Sequence, residues 1–155
     1  MALDLLTLAR TFHVLAIVLW IGGVAFVTLI ILPAALAIED PAQRTAFFRR
    51  AEHKFAAQAR LTTLIAGASG LYMLWALDAW DRFSSLTFWW GYAMVLIWLI
   101  FTVMLFVLEP LVLKKTMPAQ MERDPDGTLR KILRVHQVLL ALSLITIAGA
   151  IYGAH

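Results

Sequence analysis

The chain has 155 residues, of which 62% are hydrophobic and 15% charged, and its mean hydropathy is +0.82. This composition is too apolar for an ordinary soluble domain. The chain has no cysteine, which excludes disulfides, thiolate metal sites, covalently attached haem c and iron–sulfur clusters. The net charge of +3 comes from basic residues that flank apolar segments, a pattern typical of membrane proteins and not of nucleic-acid-binding proteins.

Four apolar segments follow one another and predict four helices. Their expected bounds are about 5–36, 41–77, 85–113 and 128–153. Each is long enough to cross the hydrocarbon core. Because the connections are short, sequential helices should be antiparallel neighbours. The predicted fold class is all-α: an integral membrane four-helix bundle forming a single domain over residues 1–155.

Several helix ends can be predicted from local signals. Asp40 is a good N-cap for the second helix because Pro41 follows it at the first helical position. Ser84 and Ser85 can cap the third helix. Glu109-Pro110 is expected to mark the inner end of that helix, and residues 124–127 are expected to form a turn before the fourth.

Glycines in the second and fourth helices are expected to face neighbouring helices, because small residues let helix backbones approach closely. The glycines in question are Gly67, Gly70, Gly149 and Gly153.

The basic residues predict the orientation. Eleven of the 13 Lys and Arg residues lie near the first and third connections, and only Arg10 and Arg82 lie on the opposite side. By the positive-inside rule both basic regions should be cytoplasmic and both termini on the outer, periplasmic side of a bacterial inner membrane. The eleven are Arg44, Arg49, Arg50, Lys54, Arg60, Lys114, Lys115, Arg123, Arg130, Lys131 and Arg134.

Two histidines enter the predicted bundle from the cytoplasmic side. His53 lies at the start of the second helix and His136 about one turn into the fourth. Such a pair can ligate one haem iron from both faces, so we predict that His53 and His136 are axial ligands of a haem b. Basic residues at that level could bind the haem propionates. They are Arg50, Arg60, Lys131 and Arg134.

His13 lies near the outer end of the first helix, too far from the other pair to share a haem with it. We predict a separate outer group there, such as a second haem completed by a non-histidine ligand or by another subunit. Two structural alternatives stay open. Buried histidines can simply hydrogen-bond across a helix pair, and Arg60 can pair with Glu109 instead of a propionate.

Methionines allow a copper interpretation, because thioethers suit Cu(I). Met117 and Met121 lie four residues apart in the third connection, whereas Met73 and Met94 are interpreted as packing residues in helices. The sequence has no Ser-His-Asp spacing, HExxH motif or glycine-rich phosphate loop, so it gives no support to a hydrolase or a nucleotide-binding protein.

The first helix carries His13, Trp20 and Gly22-Gly23, which look like an H-x6-W-x-G-G signature. On this signature the chain resembles the membrane domain of the CopD copper-resistance family and, more distantly, HemJ-type protoporphyrinogen oxidases. The resemblance covers about half the chain. It implies copper movement on the CopD side. On the HemJ side it implies b-type haem with His13 as a haem-associated residue.

The third and fourth helices depart from the HemJ pattern. Residues 90–93 read Trp-Gly-Tyr-Ala where that family has a lysine, and residues 134–137 read Arg-Val-His-Gln in place of Asn-Glu-x-Pro. Protoporphyrinogen oxidation is therefore not expected, and the histidine in the fourth helix favours a differently ligated haem.

Three hypotheses follow from the sequence. The first is a haem b-binding membrane protein that transfers electrons and could serve as a haem-dependent oxidoreductase. The second is a copper transport or copper-resistance protein, and the third is a structural subunit without a cofactor. The expected partners are the lipid membrane and haem, with a redox partner or a second copy of the chain left open; nucleic acid is not expected.

Overall fold

The computed structural model describes residues 4–153, which form an all-α fold of four long helices. These are α1, Leu5–Leu36; α2, Pro41–Ala76; α3, Leu86–Arg123; and α4, Pro125–Gly153. A short 3₁₀ helix, Trp80–Ser84, lies in the connection before α3, whose first turn, Leu86–Phe88, is also 3₁₀.

Three of these helices, α1, α3 and α4, are long and apolar enough to cross a membrane. The chain is thus a multi-pass membrane protein by this criterion. Helix α2 is not among the three, because its apolar half carries Arg60 and several small polar residues. Among the latter, Thr62, Thr63 and Ser69 are buried in the bundle and do not face lipid.

Side-chain contacts fix the relative directions of the helices. His13 and Leu19 of α1 contact Ser69 and Gln58 of α2, so a later position on one helix meets an earlier position on the other. These two helices are therefore antiparallel. Contacts between α2 and α3 show that this pair is antiparallel as well, so α1 and α3 run in the same direction. The closest-packed pairs are α1 with α2 and α3 with α4.

Two apolar clusters form the interior. The first surrounds Trp20 and Phe101 in the middle of the bundle. The second surrounds Leu32 and Leu129, both fully buried, near the α1–α2 and α3–α4 connections. Large aliphatic and aromatic side chains cover much of the outer surface of the helices, as expected for a surface in contact with lipid.

The predicted N-caps of α2 and α3 are confirmed. The Asp40 carboxylate accepts a hydrogen bond from the Ala42 amide at 3.0 Å, and Pro41 occupies the first helical position. The Ser85 hydroxyl oxygen accepts one from the Thr87 amide at 3.2 Å. Each cap satisfies a backbone N–H group that has no partner within its helix.

Arg44, in the first turns of α2, ties two connections together. Its Nε and Nη2 atoms donate to the Ile38 carbonyl at 2.8 and 2.6 Å, and its guanidinium also pairs with Asp126 at the start of α4. The side chain is buried. Arg44 therefore fastens the α1–α2 connection to α4.

The expected end of the third helix at Glu109-Pro110 is wrong, because α3 continues to Arg123. Residues Met104–Leu113 adopt a π-helix, in which hydrogen bonds join residues five apart. The wider turn accommodates a proline ring that would strike the carbonyl of residue i−4 in an α-helix. Pro110 has no N–H group, so the Leu105 carbonyl five residues earlier lacks its helical donor. The Arg60 Nε–H group supplies a donor at 3.4 Å.

The turn expected at residues 124–127, before the fourth helix, is not a separate element. Helix α4 begins at Pro125, and the Asp124 side chain accepts a hydrogen bond from the Gly127 amide at 2.8 Å. Proline is favoured in the first turn of a helix, where its missing N–H group costs nothing. The Asp-Pro-Asp-Gly segment therefore initiates α4 and is not a separate turn.

The prediction that four glycines face neighbouring helices is confirmed. A Cβ atom on Gly67 would contact the Trp98 indole of α3, and one on Gly70 would contact the His13 ring of α1. On α4, Gly149 and Gly153 lie against the indoles of α3 residues Trp89 and Trp90.

Candidate functional site

A cavity of about 810 Å³ lies between the four helices around His13. We call it the histidine cavity. Its walls are mostly apolar, and Ser143 and Thr146 of α4 give their hydroxyl protons to carbonyls of their own helix. Arg82, from the connection before α3, is a cationic residue in its lining. The volume lies within the range of cavities that bind cofactor-sized ligands.

The His13 imidazole is held in one orientation by α2. Its Nδ1 atom lies 3.0 Å from the Ala66 carbonyl oxygen and 3.1 Å from the Ser69 hydroxyl oxygen. The Ser69 hydroxyl donates its proton to the Ile65 carbonyl at 2.6 Å. The imidazole Nδ1 must therefore be the donor to these two acceptors, which in the neutral ring leaves a free electron pair on Nε2.

This arrangement is the one used by metal-ligating histidines, in which one ring nitrogen donates to a carbonyl and the other binds the metal. Gly70 packs closely against the ring, and a Cβ atom there would crowd it, at 3.2 Å from the His13 Cε1 atom. No other side chain of the described residues hydrogen-bonds to Nε2.

Trp20 lines the cavity two helical turns after His13. Its ring packs edge-on against Phe101 of α3, with the ring centroids 4.9 Å apart and the planes at 87°. The Trp20 Nε1 atom is buried and has no hydrogen-bond partner among the described residues. A buried donor without a partner is rare in folded proteins, and here it belongs to a residue that lines the histidine cavity.

A second, smaller space of about 590 Å³ lies between α2 and the far half of α3. We call it the carboxylate cleft, because Glu52, Glu109 and Glu122 line it. Burial raises the pKa of Glu52 and the nearby Glu109 carboxylate raises it further, whereas Arg49 and His53 act in the opposite direction.

Arg60 forms an ion pair with Glu109, with 2.5 Å between the Nη2 and Oε1 atoms. The alternative prediction of an Arg60–Glu109 pair is therefore confirmed. Since Nε of the same guanidinium donates to the Leu105 carbonyl, Arg60 holds α2 against the π-helical part of α3. Its predicted contact with a haem propionate stays a prediction.

The structure places the two predicted axial histidines in different surroundings. His53 is exposed and lines the carboxylate cleft, and His136 is half-buried on α4 and is not among the residues lining that cleft. The His136 Nδ1 atom donates to the Ile132 carbonyl one turn earlier, at 3.0 Å. Arg50 and Arg134 are exposed. Ligation of one haem by His53 and His136 stays a prediction.

Two features of the sites were not predicted from the sequence. Met94 and Arg82 line the histidine cavity. From the sequence, Met94 is interpreted as a packing residue, and Arg82 is used only to predict the orientation in the membrane. The spacing of Met94 from Phe101 equals that of His13 from Trp20, a signal that the sequence contained. Its meaning depends on the Trp20–Phe101 contact, which the sequence does not reveal.

Among residues 4–153 there is no group of three or more His, Cys, Asp or Glu side chains arranged to hold a metal ion. No protein-family model, curated protein or solved structure matches the chain.

Proposed function

We propose that the chain is a haem b-binding protein of the bacterial inner membrane that takes part in electron transfer, with His13 as an axial ligand. The observation that supports this most is the His13 ring. Its Nδ1 atom donates a hydrogen bond to the Ala66 carbonyl, and its Nε2 atom has no hydrogen-bond partner among the described residues. The ring lines an apolar cavity of about 810 Å³.

The residues present fit a haem in three respects. His13 supplies an imidazole donor, the apolar walls suit a porphyrin, and the Arg82 guanidinium can pair with a propionate. Gly70 leaves room for the imidazole, as a larger residue would not. Trp20 carries a buried N–H group that still lacks an acceptor. Haem iron, when bound, supplies reversible one-electron chemistry.

The protein's own contribution would be positioning and exclusion of water. The Ala66 carbonyl fixes the tautomer of His13 and raises the basicity of its free nitrogen. The edge-on contact with Phe101 fixes the orientation of the Trp20 ring in the cavity wall. Electron transfer also requires a donor and an acceptor, which would be a redox partner or a second copy of the chain.

The test is spectroscopy of the protein purified in detergent from haem-supplied cells. The unaltered protein should show a reduced-minus-oxidised spectrum of b-type haem, and His13→Ala should abolish or strongly change it. His53→Ala and His136→Ala are compared with it, because each also removes one imidazole. Absence of haem from the unaltered protein would overturn the proposal.

The same set of variants tests the ligand pair predicted from the sequence. If His53→Ala and His136→Ala each remove the haem while His13→Ala keeps it, the haem lies between α2 and α4 and not in the histidine cavity. If all three single variants lose part of the haem, more than one haem is bound, and haem quantitation per polypeptide counts them.

Copper handling is the second candidate, and the carboxylate cleft favours it. Met117 and Met121 of α3 and His53 of α2 all line this cleft, so two thioethers and one imidazole share one space. Cu(I) should then bind to the purified protein and be lost in Met117→Leu, with Met104→Leu as the matched control. A protein that binds neither haem nor Cu(I) would be the cofactor-free structural subunit.

A further inference from the structure

The contact between Trp20 and Phe101 sets the register between α1 and α3. His13 precedes Trp20 by seven residues, and Met94 precedes Phe101 by seven. Both intervals lie in regular α-helix, within Leu5–Phe26 and Trp89–Val103. Seven residues are close to two full turns, or about 10.5 Å along the axis. Because α1 and α3 run in the same direction, His13 and Met94 lie at the same level of the bundle.

The two side chains also belong to facing sides of their helices. Seven residues return a helix to nearly the same face, so His13 lies on the face of α1 that carries Trp20, and Met94 on the face of α3 that carries Phe101. Those two faces meet at the aromatic contact, with ring centroids 4.9 Å apart. Two turns away, both residues line the histidine cavity.

Met94 is free to make a further contact. Its side chain is 39% exposed, whereas Met121 in the apolar interior is 4% exposed. The Met94 thioether is therefore not occupied in packing the core. Met94 therefore lines the same cavity as the free His13 nitrogen without being part of the buried core.

From this register we propose that Met94 is the second axial ligand, so that the histidine cavity binds haem b between His13 Nε2 and the Met94 sulfur. The inference rests on the proposed haem function. It places one ligand on α1 and the other on α3. A thioether ligand opposite an imidazole raises the reduction potential of a haem. The site would thus hold a high-potential haem that accepts electrons readily.

Met73 provides a matched control in the same cavity. It lies on α2 three residues after Gly70, the residue against which the His13 ring packs. Met73 therefore belongs to the wall that already holds His13 and not to the wall opposite it. Met73→Leu and Met94→Leu remove the same atom type from the same cavity and differ only in the wall that loses it.

The experiment compares Met94→Leu, Met73→Leu and Met94→His with the unaltered protein, all purified with haem. The ferric protein should show the near-infrared charge-transfer band that marks sulfur ligation of haem iron. Met94→Leu should lose that band and become high-spin, while Met73→Leu should keep it. Met94→His should restore a low-spin spectrum with a lower midpoint potential, which shows that the variant folds and that the position reaches the iron.

The outcomes separate the inference from the function on which it rests. Haem that depends on His13 but keeps its near-infrared band in Met94→Leu would overturn the inference and leave the proposed function standing. Loss of the band in Met73→Leu alone would assign the ligand to α2 and would also overturn it. A purified protein without haem would overturn both.

Discussion

Arg60 is a charged residue in the apolar half of α2, and two contacts with α3 satisfy its guanidinium. Its guanidinium pairs with Glu109 and also donates to the Leu105 carbonyl, which Pro110 leaves without a helical donor. The sequence predicts the ion pair as an alternative, because both residues are expected at the same end of the bundle. It could not predict the second contact, since that depends on the π register of α3.

Glu52 is the residue whose ionisation should affect stability. Burial and the nearby Glu109 carboxylate raise its pKa above the ordinary value of 4.5. The folded protein therefore holds this proton more tightly than the unfolded chain does. Its stabilising contribution is present below pH 4.5 and is lost as the pH rises through the folded pKa. We expect Glu52→Gln to be more stable than the unaltered protein at neutral pH and to differ little from it in acid.

Thermal unfolding in detergent across this pH range tests the prediction. Glu122→Gln is the matched control, because Glu122 lines the same cleft but is exposed. A stability difference for Glu52→Gln that did not change with pH would contradict an ionisation effect. A control variant with the same pH profile would assign the effect to the charge of the cleft as a whole.

At the scale of single helices, the caps and the close-packed glycines were predictable and the proline in α3 was not. Asp40 and Ser85 act through neighbouring backbone amides, so local sequence is sufficient to predict them. The glycines follow from the general need of small residues between helices. Pro110 usually ends a helix, but here packing against α2 supplies the missing donor, and local sequence carries no information about that partner.

The helix–helix contact of α2 with α3 can be tested at Gly67. A Cβ atom there would lie 2.6 Å from the Trp98 indole, whose N–H group donates to the Thr63 carbonyl at 3.0 Å and so cannot move without losing a hydrogen bond. We expect this contact to cost about 1–3 kcal/mol, the usual cost of overpacking, so that Gly67→Ala is less stable than a Gly→Ala change in open space by that amount. The measurement is the unfolding temperature of the purified variant.

Gly22→Ala is the control for this prediction, because a Cβ atom on Gly22 would have no heavy atom within 4 Å. Both substitutions gain the same helix propensity, about 1 kcal/mol, so the difference between them reports the contact. Equal unfolding temperatures would mean that Trp98 moves aside without cost.

At the scale of the whole molecule, the fold class was predictable and the candidate site only in part. Four apolar segments with short connections are sufficient for an all-α membrane bundle, and His13 was identified as a residue that needs an explanation. The cavity around it is formed by side chains from four helices and one connection, which the sequence cannot place. The sequence therefore favours His53 and His136, which the basic residues predict to lie on one side of the membrane, over Met94, whose relation to His13 depends on packing.

The last prediction concerns how the bundle crosses the membrane. Four antiparallel spans place both termini on one side, whereas three spans would place them on opposite sides. Helix α2 decides between these, since it is not among the three helices that are apolar enough by themselves. Its polar groups are largely turned inward: Arg60 contacts α3, and Thr62, Thr63 and Ser69 are buried, so its outer face can still contact lipid. We therefore expect α2 to span, with both termini periplasmic.

Alkaline phosphatase fusions measure this, because the enzyme is active only outside the cytoplasm. A fusion after His155 should be active, and one in the α3–α4 connection at Asp124 should be inactive, since eleven of the 13 basic residues lie near the two connections on that side. A fusion before the first helix, read with a reporter that also works at an N-terminus, should give the same side as His155. Opposite sides for the two termini would show that α2 does not cross, and an active fusion at Asp124 with an inactive one at His155 would reverse the orientation of the whole bundle.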